Sequence, residues 1–432
     1  ILASSPADLL IYGMGEKPIK ELVRRLKSGI PFNKIKDICQ TVYLADKEDA
    51  KDDDIVLFSH EECLKDKLKQ AKNFRHIEEE SNKYNASRIL QKVGKQVIIV
   101  NPPFPPMTEA EIDASYDLPY TRLPHPKYKG KVIPAFEMIK FSVNIHRGCF
   151  GGCAFCTISA HQGKFIASRS KESILMPDFK GYLSDLGGPS ANMYRMKGKD
   201  ERICAKCKKP SCISPIVCKN LNADHTPLLD IYKAVDQLPG IKKSFIGSGV
   251  RYDLLLHRYA EEPLNKAAQT YTEELIARHV SGRLKVAPEH TQDGVLKQMR
   301  KPSFSQFGQF KKIFDKVNRQ YGLNQQLIPY FISSHPGCTE ADMAELAVIT
   351  KSLHFQLEQV QDFTPTPMTL ATEMYYTGYH PYTLEKVYTV HSKEQKLAQR
   401  QFFFWYKPES RRQITQVLQK MGRKDLIEKL FG

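Results

Sequence analysis

The stretch Asn144-Ile-His-Arg-Gly-Cys149-Phe-Gly-Gly-Cys153-Ala-Phe-Cys156 sets three cysteines in a C-x3-C-x2-C pattern directly after an apolar segment. Glycines beside the cysteines let the backbone wrap closely around a bound group without Cβ clashes. Soft thiolates suit iron–sulfur clusters, and three ligands leave one iron of a cubane open. We therefore predict a [4Fe-4S] cluster on Cys149, Cys153 and Cys156. A zinc site is the alternative, although zinc normally takes a fourth ligand.

An open iron of this kind suggests a cosubstrate. The amino and carboxylate groups of S-adenosylmethionine (SAM) can chelate it, and an electron passed to the sulfonium then yields a 5′-deoxyadenosyl radical. The cysteine pattern, with Phe155 just before the third cysteine, resembles the radical SAM superfamily, in which this aromatic position lies near the adenine. The resemblance implies an electron donor such as flavodoxin or ferredoxin as a partner.

Other segments resemble the YgiQ-type radical SAM proteins over nearly the whole chain. The matching segments are 12–16, 181–194, 248–254, 284–290, 333–338 and 360–367. The resemblance implies a radical SAM enzyme with an N-terminal region like a cobalamin-binding fold before its barrel. Because the chain begins with Ile1 and enters a strand-like stretch at once, we expect only the end of that region. No Asp-x-His-x-x-Gly motif is visible, so we do not expect cobalamin.

The spacing of apolar residues predicts an α/β fold. Six short apolar segments alternate with helical ones, and we expect strands near 140–147, 181–185, 243–247, 284–287, 327–332 and 360–363. This alternation is typical of a parallel sheet, open or curled into a partial barrel. With the resemblance, the fold class is a partial (β/α)6 radical SAM barrel, preceded by a remnant of a cobalamin-binding-like α/β domain and followed by C-terminal helices.

Four regions are predicted along the chain. Residues 1–100 form the end of an α/β domain, with strands near 8–13, 55–58 and 97–100, an amphipathic helix with Leu22, Val23 and Leu26 on one face, and a long helical region from 61 to 92. A proline-rich connector without regular helix covers 101–139. The radical SAM core covers 140–390 with a Cys-rich insertion at 194–222, and residues 391–432 form a C-terminal extension with two helices.

The glycine pair Gly187-Gly188 follows the second predicted strand and resembles the superfamily's glycine motif, which contacts the methionyl amino group of SAM. The acid that usually follows is replaced here by Pro189, which puts that contact in doubt. An ordinary turn is the alternative interpretation. We predict that exposed backbone at this pair contacts SAM.

Three polar residues after the next strands are also candidates for SAM binding. Ser248 and Arg251 follow the third strand, where a planar guanidinium can pair with the methionyl carboxylate, although a surface salt bridge is equally consistent. Glu289 follows the fourth strand and resembles the position that contacts the ribose hydroxyls. The alternative is a buried acid that caps a helix.

Side chains at the carboxyl ends of parallel strands gather at catalytic sites. By this rule a set of six residues is expected to face the chamber: Asp185, Asp253, His290, His335, Cys338 and Thr364. Cys338 is the candidate catalytic residue, because a thiol near a carbon radical can donate a hydrogen atom. A plain buried cysteine is the alternative.

A second cysteine group, Cys204, Cys207, Cys212 and Cys218, lies in the insertion among lysines and prolines. Four thiols satisfy tetrahedral zinc and equally an auxiliary iron–sulfur cluster. An insertion without hydrophobic periodicity needs such a metal to order it, so we predict one and leave its identity open. Unliganded cysteines are the alternative.

The composition indicates a cytoplasmic protein. The chain has 432 residues and ten cysteines, too few for a disulfide scaffold, and it has no signal peptide or apolar run long enough for a membrane span. The formal charge of +16 attracts anionic partners, and nucleic acid is one of them. A methylthiotransferase-like RNA-modifying enzyme or a metal-stapled nucleic-acid-binding protein is therefore the alternative function. The sequence does not identify the substrate.

Overall fold

The N-terminal region of this computed structural model is built on a mixed five-stranded sheet. The structure describes residues 1–46, 50–175 and 179–432. The strand order across the sheet is Leu10–Ile11, Thr41–Ala45, Gln96–Val100, Ile89–Val93 and Ile55–Val56. The accompanying helices are Glu16–Lys27, His60–Lys65 and Lys67–Ser81.

One expectation for this region is wrong, and one helix packs loosely. The predicted helical region ends at Ser81, because Ile89–Val93 forms an antiparallel hairpin with Gln96–Val100 around a turn in which Gly94 has a φ of +59°. The predicted first helix is present, but its apolar face is largely open: Val23 and Leu26 are more than two-fifths exposed, and Pro18 is the helix's one buried residue.

The proline-rich connector contains regular helix, which the prediction excluded. A helix spans Glu109–Tyr116 and begins with a capping box between Thr108 and Glu111. The prolines flank this helix without interrupting it, so the backbone hydrogen bonds remain intact. A shorter helix, Pro134–Ile139, begins at a proline, which the first helical turn tolerates.

Six strand segments, which we call the core strands, follow in the described residues close to the predicted positions. They are Ser142–Asn144, Gly181–Gly187 with a break at Ser184, Ile241–Ser244, Arg283–Glu289, Gln326–Ser333 and Gln359–Asp362. The second core strand pairs in parallel with the first and third, and the fifth pairs in parallel with the fourth and sixth. Their carboxyl ends therefore point in one direction within each group.

Helices cover one side of the core strands. The longer ones are Thr226–Asp236, Glu262–Arg278, Phe304–Gln320 and Glu340–Ser352, with shorter helices at Ile158–Gln162, Lys171–Ile174, Tyr252–Leu256, Asp293–Met299 and Leu370–Thr377. Strand residues such as Val143, Leu183 and Leu284 pack against this layer in the main hydrophobic core. The mixed α/β character and the parallel pairing agree with the predicted fold class.

The C-terminal extension has one helix more than predicted. The described residues contain Lys393–Gln401, Pro408–Lys420 and Lys424–Phe431, with a short 3-10 turn at Phe402–Phe404. The unpredicted helix, Lys393–Gln401, is largely polar, so its sequence carries no clear apolar stripe. The insertion is bracketed by an antiparallel pair, Lys197–Gly198 with Leu221–Asn222, and carries one short helix, Glu201–Ala205.

Candidate cluster and cofactor site

The three cysteines of the triad lie on a loop that follows the first core strand. A small antiparallel ladder, His146–Arg147 with Ala167–Ser168, closes the base of this loop. Gly151 N donates to Cys149 Sγ at 3.4 Å, and Cys156 N donates to Cys153 O at 3.1 Å. Burial raises the pKa of the Cys149 thiol to about 12, and the charge of Cys153 adds to the rise. Burial therefore disfavours the Cys149 thiolate unless a metal supplies positive charge.

The triad thiols are not arranged around a single metal ion in the structure. Among the described residues, no group of three or more His, Cys, Asp or Glu side chains is arranged to hold one metal ion. A lone zinc needs four ligand atoms around a single point, whereas a cubane takes each thiolate on a different iron. The three thiols lie on one glycine-lined loop and act on one another electrostatically, and in such a donor set each thiolate can bind a different iron.

The insertion packs directly against the triad loop. This contact was not predicted from the sequence. Gly152 has a φ of +60°, and a Cβ atom there would lie 2.4 Å from Pro210 O. Ser211 Oγ donates to Gly151 O at 2.8 Å, and Cys212 N donates to Phe150 O at 3.0 Å. This set of contacts, which we call the clamp, joins the two cysteine groups.

Arg251 lies beside the triad, and its guanidinium is already paired. Its Nε and Nη2 donate to the Asp253 carboxylate at 2.9 and 2.5 Å, and its Nη1 donates to Cys153 Sγ at 3.4 Å. Burial alone would raise the pKa of Asp253, but Arg251 holds it below its usual value. Both side chains are at most a tenth exposed, so this is a buried ion pair next to a cluster ligand.

A second buried ion pair, Glu289 with Lys301, lies at the end of the fourth core strand. Glu289 Oε1 is 3.6 Å from Lys301 Nζ, and both side chains are 6% exposed. Glu289 has a φ of +70°, and its Oε2 is buried without a hydrogen-bond partner in the described part of the chain. Burial raises the pKa of Glu289 to about 7. The carboxyl oxygen is therefore available to a hydroxyl or ammonium group.

Lys301 is a site residue that sequence reasoning missed. It follows the helix Asp293–Met299, and Met299 O accepts a hydrogen bond from Ala154 N of the triad loop at 3.0 Å. Burial and Cys153 raise the pKa of Cys156, while the charge of Lys301 lowers it. A lysine directly after a helix is usually a surface residue, so the sequence alone carried little signal for it.

The glycine pair lies against two polar side chains. A Cβ atom at Gly187 would lie 2.7 Å from Ser248 Oγ, and one at Gly188 would lie 2.5 Å from His146 Cε1. The His146 ring is fully buried, and neither of its nitrogens has a partner among the described residues. Burial lowers its pKa to about 3, so the ring is neutral at physiological pH.

The predicted chamber residue Asp185 joins the ends of the second and third core strands. Its carboxylate accepts hydrogen bonds from Gly247 N at 2.9 Å and Ser248 N at 3.1 Å, and also from Ser248 Oγ. The Ser248 hydroxyl is therefore engaged with Asp185. Its predicted contact with SAM stays a prediction.

Cys338 belongs to a buried polar cluster. Its Sγ is 3.6 Å from His290 Nε2 and donates to Gln399 Oε1 at 3.5 Å, with Gln399 supplied by the unpredicted helix Lys393–Gln401. Burial raises the pKa of Cys338 well above its usual range, so the thiol keeps its proton. Its role as a hydrogen-atom donor stays a prediction.

The remaining predicted residues divide into buried and exposed positions. His335 is buried, and its ring lies edge-on to Phe155 with 6.0 Å between ring centres. The predicted neighbour of the adenine therefore lies near the buried Cys338 cluster. Thr364 is exposed, and its hydroxyl donates to Asp362 O at 3.3 Å.

A buried lysine lies beside the second cysteine group. Lys164 is 2% exposed, its Nζ donates to Lys209 O at 2.8 Å and lies 3.9 Å from Cys207 Sγ. Burial raises the pKa of Cys212 to about 11; Lys164 opposes this rise, whereas Cys218, Cys207 and Cys204 add to it. All four thiols and the ammonium thus act on each other electrostatically, although in the part of the chain that the structure describes the thiols are not closed around one ion.

Comparisons with known proteins find two matching family models and relatives along the whole chain. Residues 1–142 match a family model described as radical SAM N-terminal, and residues 358–429 match a domain of unknown function (DUF3362). A UPF0313 protein of Bacteroides thetaiotaomicron is 69% identical, with 100% of this chain and 73% of that protein covered. A UPF0313 protein of Porphyromonas gingivalis is 66% identical, covering 100% and 70%.

One solved structure is more distantly similar. It is the radical SAM methyltransferase TsrM from Kitasatospora setae with cobalamin and a [4Fe-4S] cluster bound. The TM-score is 0.44 at 11% identity, covering 84% of this chain and 54% of that one. A likeness of this size is too weak to define a shared fold.

The N-terminal family match defines the class of the protein: it is a radical SAM enzyme of unknown reaction. The chain belongs to the UPF0313 family, the YgiQ-type proteins predicted from its motifs. The names of these relatives do not specify a reaction. Within the described residues, no helix combines the length and apolar character that crossing a membrane requires.

Proposed function

We propose that this chain holds a [4Fe-4S] cluster on Cys149, Cys153 and Cys156 and cleaves SAM reductively to a 5′-deoxyadenosyl radical. The observation that carries the proposal is the triad loop itself, a glycine-lined turn whose three thiols act on one another electrostatically beside two buried ion pairs. When bound, the cluster supplies one electron to the sulfonium of SAM. The protein's own side chains hold the thiolates and orient the cosubstrate.

The six core strands form, in this proposal, the partial (β/α)6 barrel of the class. The parallel pairing within core strands one to three and within core strands four to six supports it, as does the position of Gly187, Ser248 and Glu289 at or just beyond strand carboxyl ends. Residues 1–100 are then the end of a cobalamin-binding-like domain, residues 101–139 the connector, 140–390 the core and 391–432 the extension.

Lys301 is the residue that we propose for the methionyl carboxylate of SAM, in preference to Arg251. The Arg251 guanidinium already donates to both oxygens of Asp253 and to a cluster ligand. Lys301 has one loose carboxylate partner at 3.6 Å and acts electrostatically on Cys156. A carboxylate that approaches the open iron can therefore pair with Lys301 without breaking a tight ion pair.

The remaining contacts to SAM follow from unpartnered buried groups. The free Oε2 of Glu289 suits a ribose hydroxyl. The neutral ring of His146, pressed against Gly188, supplies a nitrogen lone pair where the superfamily's acid is replaced by Pro189. We propose that this nitrogen accepts a hydrogen bond from the methionyl ammonium.

The Lys301 assignment is tested by equilibrium binding of two ligands, SAM and decarboxylated SAM, to the cluster-loaded protein. Charge-assisted hydrogen bonds contribute about 1.5–3 kcal/mol, so Lys301→Met should weaken SAM binding by roughly 10- to 100-fold. Decarboxylated SAM should bind the variant and the wild type equally. An equal loss for both ligands would contradict the assignment, and the visible absorbance of the cluster serves as the control for intact loading.

The second cysteine group is proposed as a metal site. Four thiolates around a divalent ion carry a net charge of −2, and Lys164 is a buried cation without a carboxylate partner in the described chain. The metal–thiolate unit would provide the counter-charge that a buried ammonium requires. Zinc and an auxiliary iron–sulfur cluster both satisfy this argument.

The proposed partners are an electron donor such as flavodoxin or ferredoxin and an anionic substrate. All ten cysteines are free in the structure, which supports a reducing compartment such as the cytoplasm. Nucleic acid is the anionic substrate that the charge of +16 favours.

A further inference from the structure

A cavity of about 650 Å³ lies between the N-terminal region and the base of the triad loop, a volume within the usual range for small-molecule sites. Its lining includes residues 13–16, which belong to the YgiQ-type segment 12–16 that the proposed function leaves without a role. The lining also includes Arg147, two residues before Cys149, and His161 and Gln162 at the end of the helix that follows the triad. We call this space the N-terminal cavity.

The wall formed by residues 13–16 is held in place by hydrogen bonds from neighbouring segments. Gln40 Nε2 donates to Tyr12 O and to Met14 O, both at 2.6 Å. Tyr12 Oη donates to Asn101 O, also at 2.6 Å. Gly13 has a φ of +69°, and a Cβ atom there would lie 3.1 Å from Gln40 Nε2. The wall is therefore formed before a ligand arrives, which lowers the entropic cost of binding.

Glu16 brings to this cavity a carboxylate with one oxygen unsatisfied. Arg147 Nη1 donates to Glu16 Oε1, and Arg147 Nε donates to Tyr116 Oη at 3.2 Å. Glu16 Oε2 is buried and has no hydrogen-bond partner among the residues that the structure describes. Burial alone would raise the pKa of Glu16, but Arg147 holds it below its usual value, so the group is an anion at neutral pH. A buried anionic oxygen is costly without a donor, and a cationic donor satisfies it best.

Lys20 supplies the opposite charge one helical turn further on. Glu16 and Lys20 are four positions apart on the helix Glu16–Lys27, a spacing at which a glutamate and a lysine commonly pair. Here Glu16 pairs with Arg147 instead. Lys20 also lines the cavity, and it forms no ion pair with a carboxylate within residues 1–46, 50–175 and 179–432. The cavity thus offers an ammonium group without a carboxylate partner next to a carboxylate oxygen without a donor.

Large apolar side chains lie beside these two charges. Ile19, Leu118 and Tyr120 all line the cavity, and each of them is at least half exposed. Grouped apolar side chains that are left in water around a concave site usually mark a place where a ligand binds. The cavity therefore combines two opposite charges with an apolar wall.

We propose that the N-terminal cavity binds a free α-amino acid with a large apolar side chain. The ammonium group of the ligand donates to Glu16 Oε2, its carboxylate pairs with Lys20, and its side chain packs against the apolar wall. A simple amine would leave Lys20 without a partner, and a simple carboxylate would leave Glu16 Oε2 without a donor. The inference does not rest on the proposed SAM chemistry, because none of the described residues that we propose for SAM lines this cavity.

Equilibrium dialysis of the reconstituted full chain with labelled L-phenylalanine, in the absence of SAM, measures the binding. Three unlabelled competitors each lack one part of this ligand: phenethylamine has no carboxylate, 3-phenylpropionate has no ammonium group, and glycine has no side chain. Phenylalanine should bind more tightly than all three. Glycine should bind roughly 10- to 100-fold more weakly, because it buries no apolar side chain.

Two substitutions separate the two charges. Glu16→Gln should weaken phenylalanine and phenethylamine by roughly 10- to 100-fold and should not weaken 3-phenylpropionate. Lys20→Met should weaken phenylalanine and 3-phenylpropionate by roughly 2- to 5-fold, because Lys20 is exposed, and should leave phenethylamine unchanged. The matched controls Glu21→Gln and Lys27→Met change charges of the same helix that do not line the cavity, and they should bind as the wild type does.

The triple variant Cys149/Cys153/Cys156→Ala shows whether the amino acid binds in this cavity or at the open iron of the cluster. It should bind phenylalanine as tightly as the wild type does, and loss of binding in this variant would overturn the inference. Wild-type protein that does not bind phenylalanine would also overturn it. So would an equal loss for all ligands in Glu16→Gln, or tighter phenethylamine binding in Lys20→Met, since Lys20 would then itself be the partner of Glu16. Because the triple variant lacks the cluster, this result is independent of SAM cleavage.

Discussion

The clamp between the insertion and the triad loop is tested by one added methyl group, Gly152→Ala. The Cβ atom would lie 2.4 Å from Pro210 O and 2.9 Å from Ser211 Cβ, both shorter than any ordinary contact. The backbone at Gly152 also has a φ of +60°, which an alanine adopts only with strain. The substitution therefore pushes the insertion and the triad loop apart.

The expected cost has two parts that a matched control separates. A left-handed conformation costs a non-glycine residue about 1–2 kcal/mol, and overpacking typically costs about 1–3 kcal/mol. Gly94 has nearly the same φ, +59°, but a Cβ atom added there would meet no described atom within 4 Å. Gly94→Ala therefore tests the backbone strain alone. Gly152→Ala should lose about 1–3 kcal/mol more stability than Gly94→Ala does, and this difference measures the overpacking at the clamp.

Hydrogen exchange of the segment around Cys212 measures this difference locally, because Cys212 N donates to Phe150 O across the clamp. We expect exchange roughly 5- to 100-fold faster in Gly152→Ala than in Gly94→Ala or the wild type. The iron content after reconstitution should fall in the same variant. Equal exchange in the two alanine variants would refute the reasoning that the insertion supports the triad loop.

Two further predictions concern buried charges. Asp253→Ala should destabilise the protein by about 3–5 kcal/mol in urea unfolding, because Arg251 is left as a buried cation without its carboxylate. The control Asp315→Ala, which breaks a more exposed ion pair with Lys311, should change the stability by less than about 1 kcal/mol. Equal losses of stability in the two variants would contradict the argument. Burial raises the pKa of Glu373 from 4.5 to about 7, so the folded state binds the proton of this carboxyl more tightly than the unfolded state does. The stability of the fold therefore decreases as the pH rises from about 4.5 to about 7. Glu373→Gln should remove up to about 3 kcal/mol of this pH-dependent loss of unfolding free energy. If the variant and the wild type show the same pH profile of unfolding, the prediction is contradicted.

The sequence predicted the parts of the site that depend on local pattern. The triad, the glycine pair and Glu289 follow apolar strand segments whose spacing is clear, and each lies at or just beyond a core-strand end in the structure. Prediction of secondary structure from the local sequence pattern fails where that pattern is weak. The hairpin that includes Ile89–Val93 was predicted as helix, and the helix Glu109–Tyr116 was missed among prolines that only flank it.

Contacts between distant segments could not be predicted in this way. Pro210 meets Gly152 across 58 positions of sequence, and Gln399 reaches Cys338 across 61. Lys301 was missed because a charged residue that follows a helix is usually exposed, whereas the Lys301 side chain is only 6% exposed in the structure. These residues can be recognised as part of the site only in the folded structure, where the ends of different strands and helices come together.

The central claim is that Cys149, Cys153 and Cys156 hold a cluster that cleaves SAM. The most direct measurement is the yield of 5′-deoxyadenosine from SAM after anaerobic reconstitution with iron and sulfide and reduction with dithionite. The wild type is predicted to show the visible absorbance of a [4Fe-4S] cluster and to form 5′-deoxyadenosine, and the triple Cys149/Cys153/Cys156→Ala variant to do neither. Cleavage by the triple variant at the wild-type rate would contradict the account.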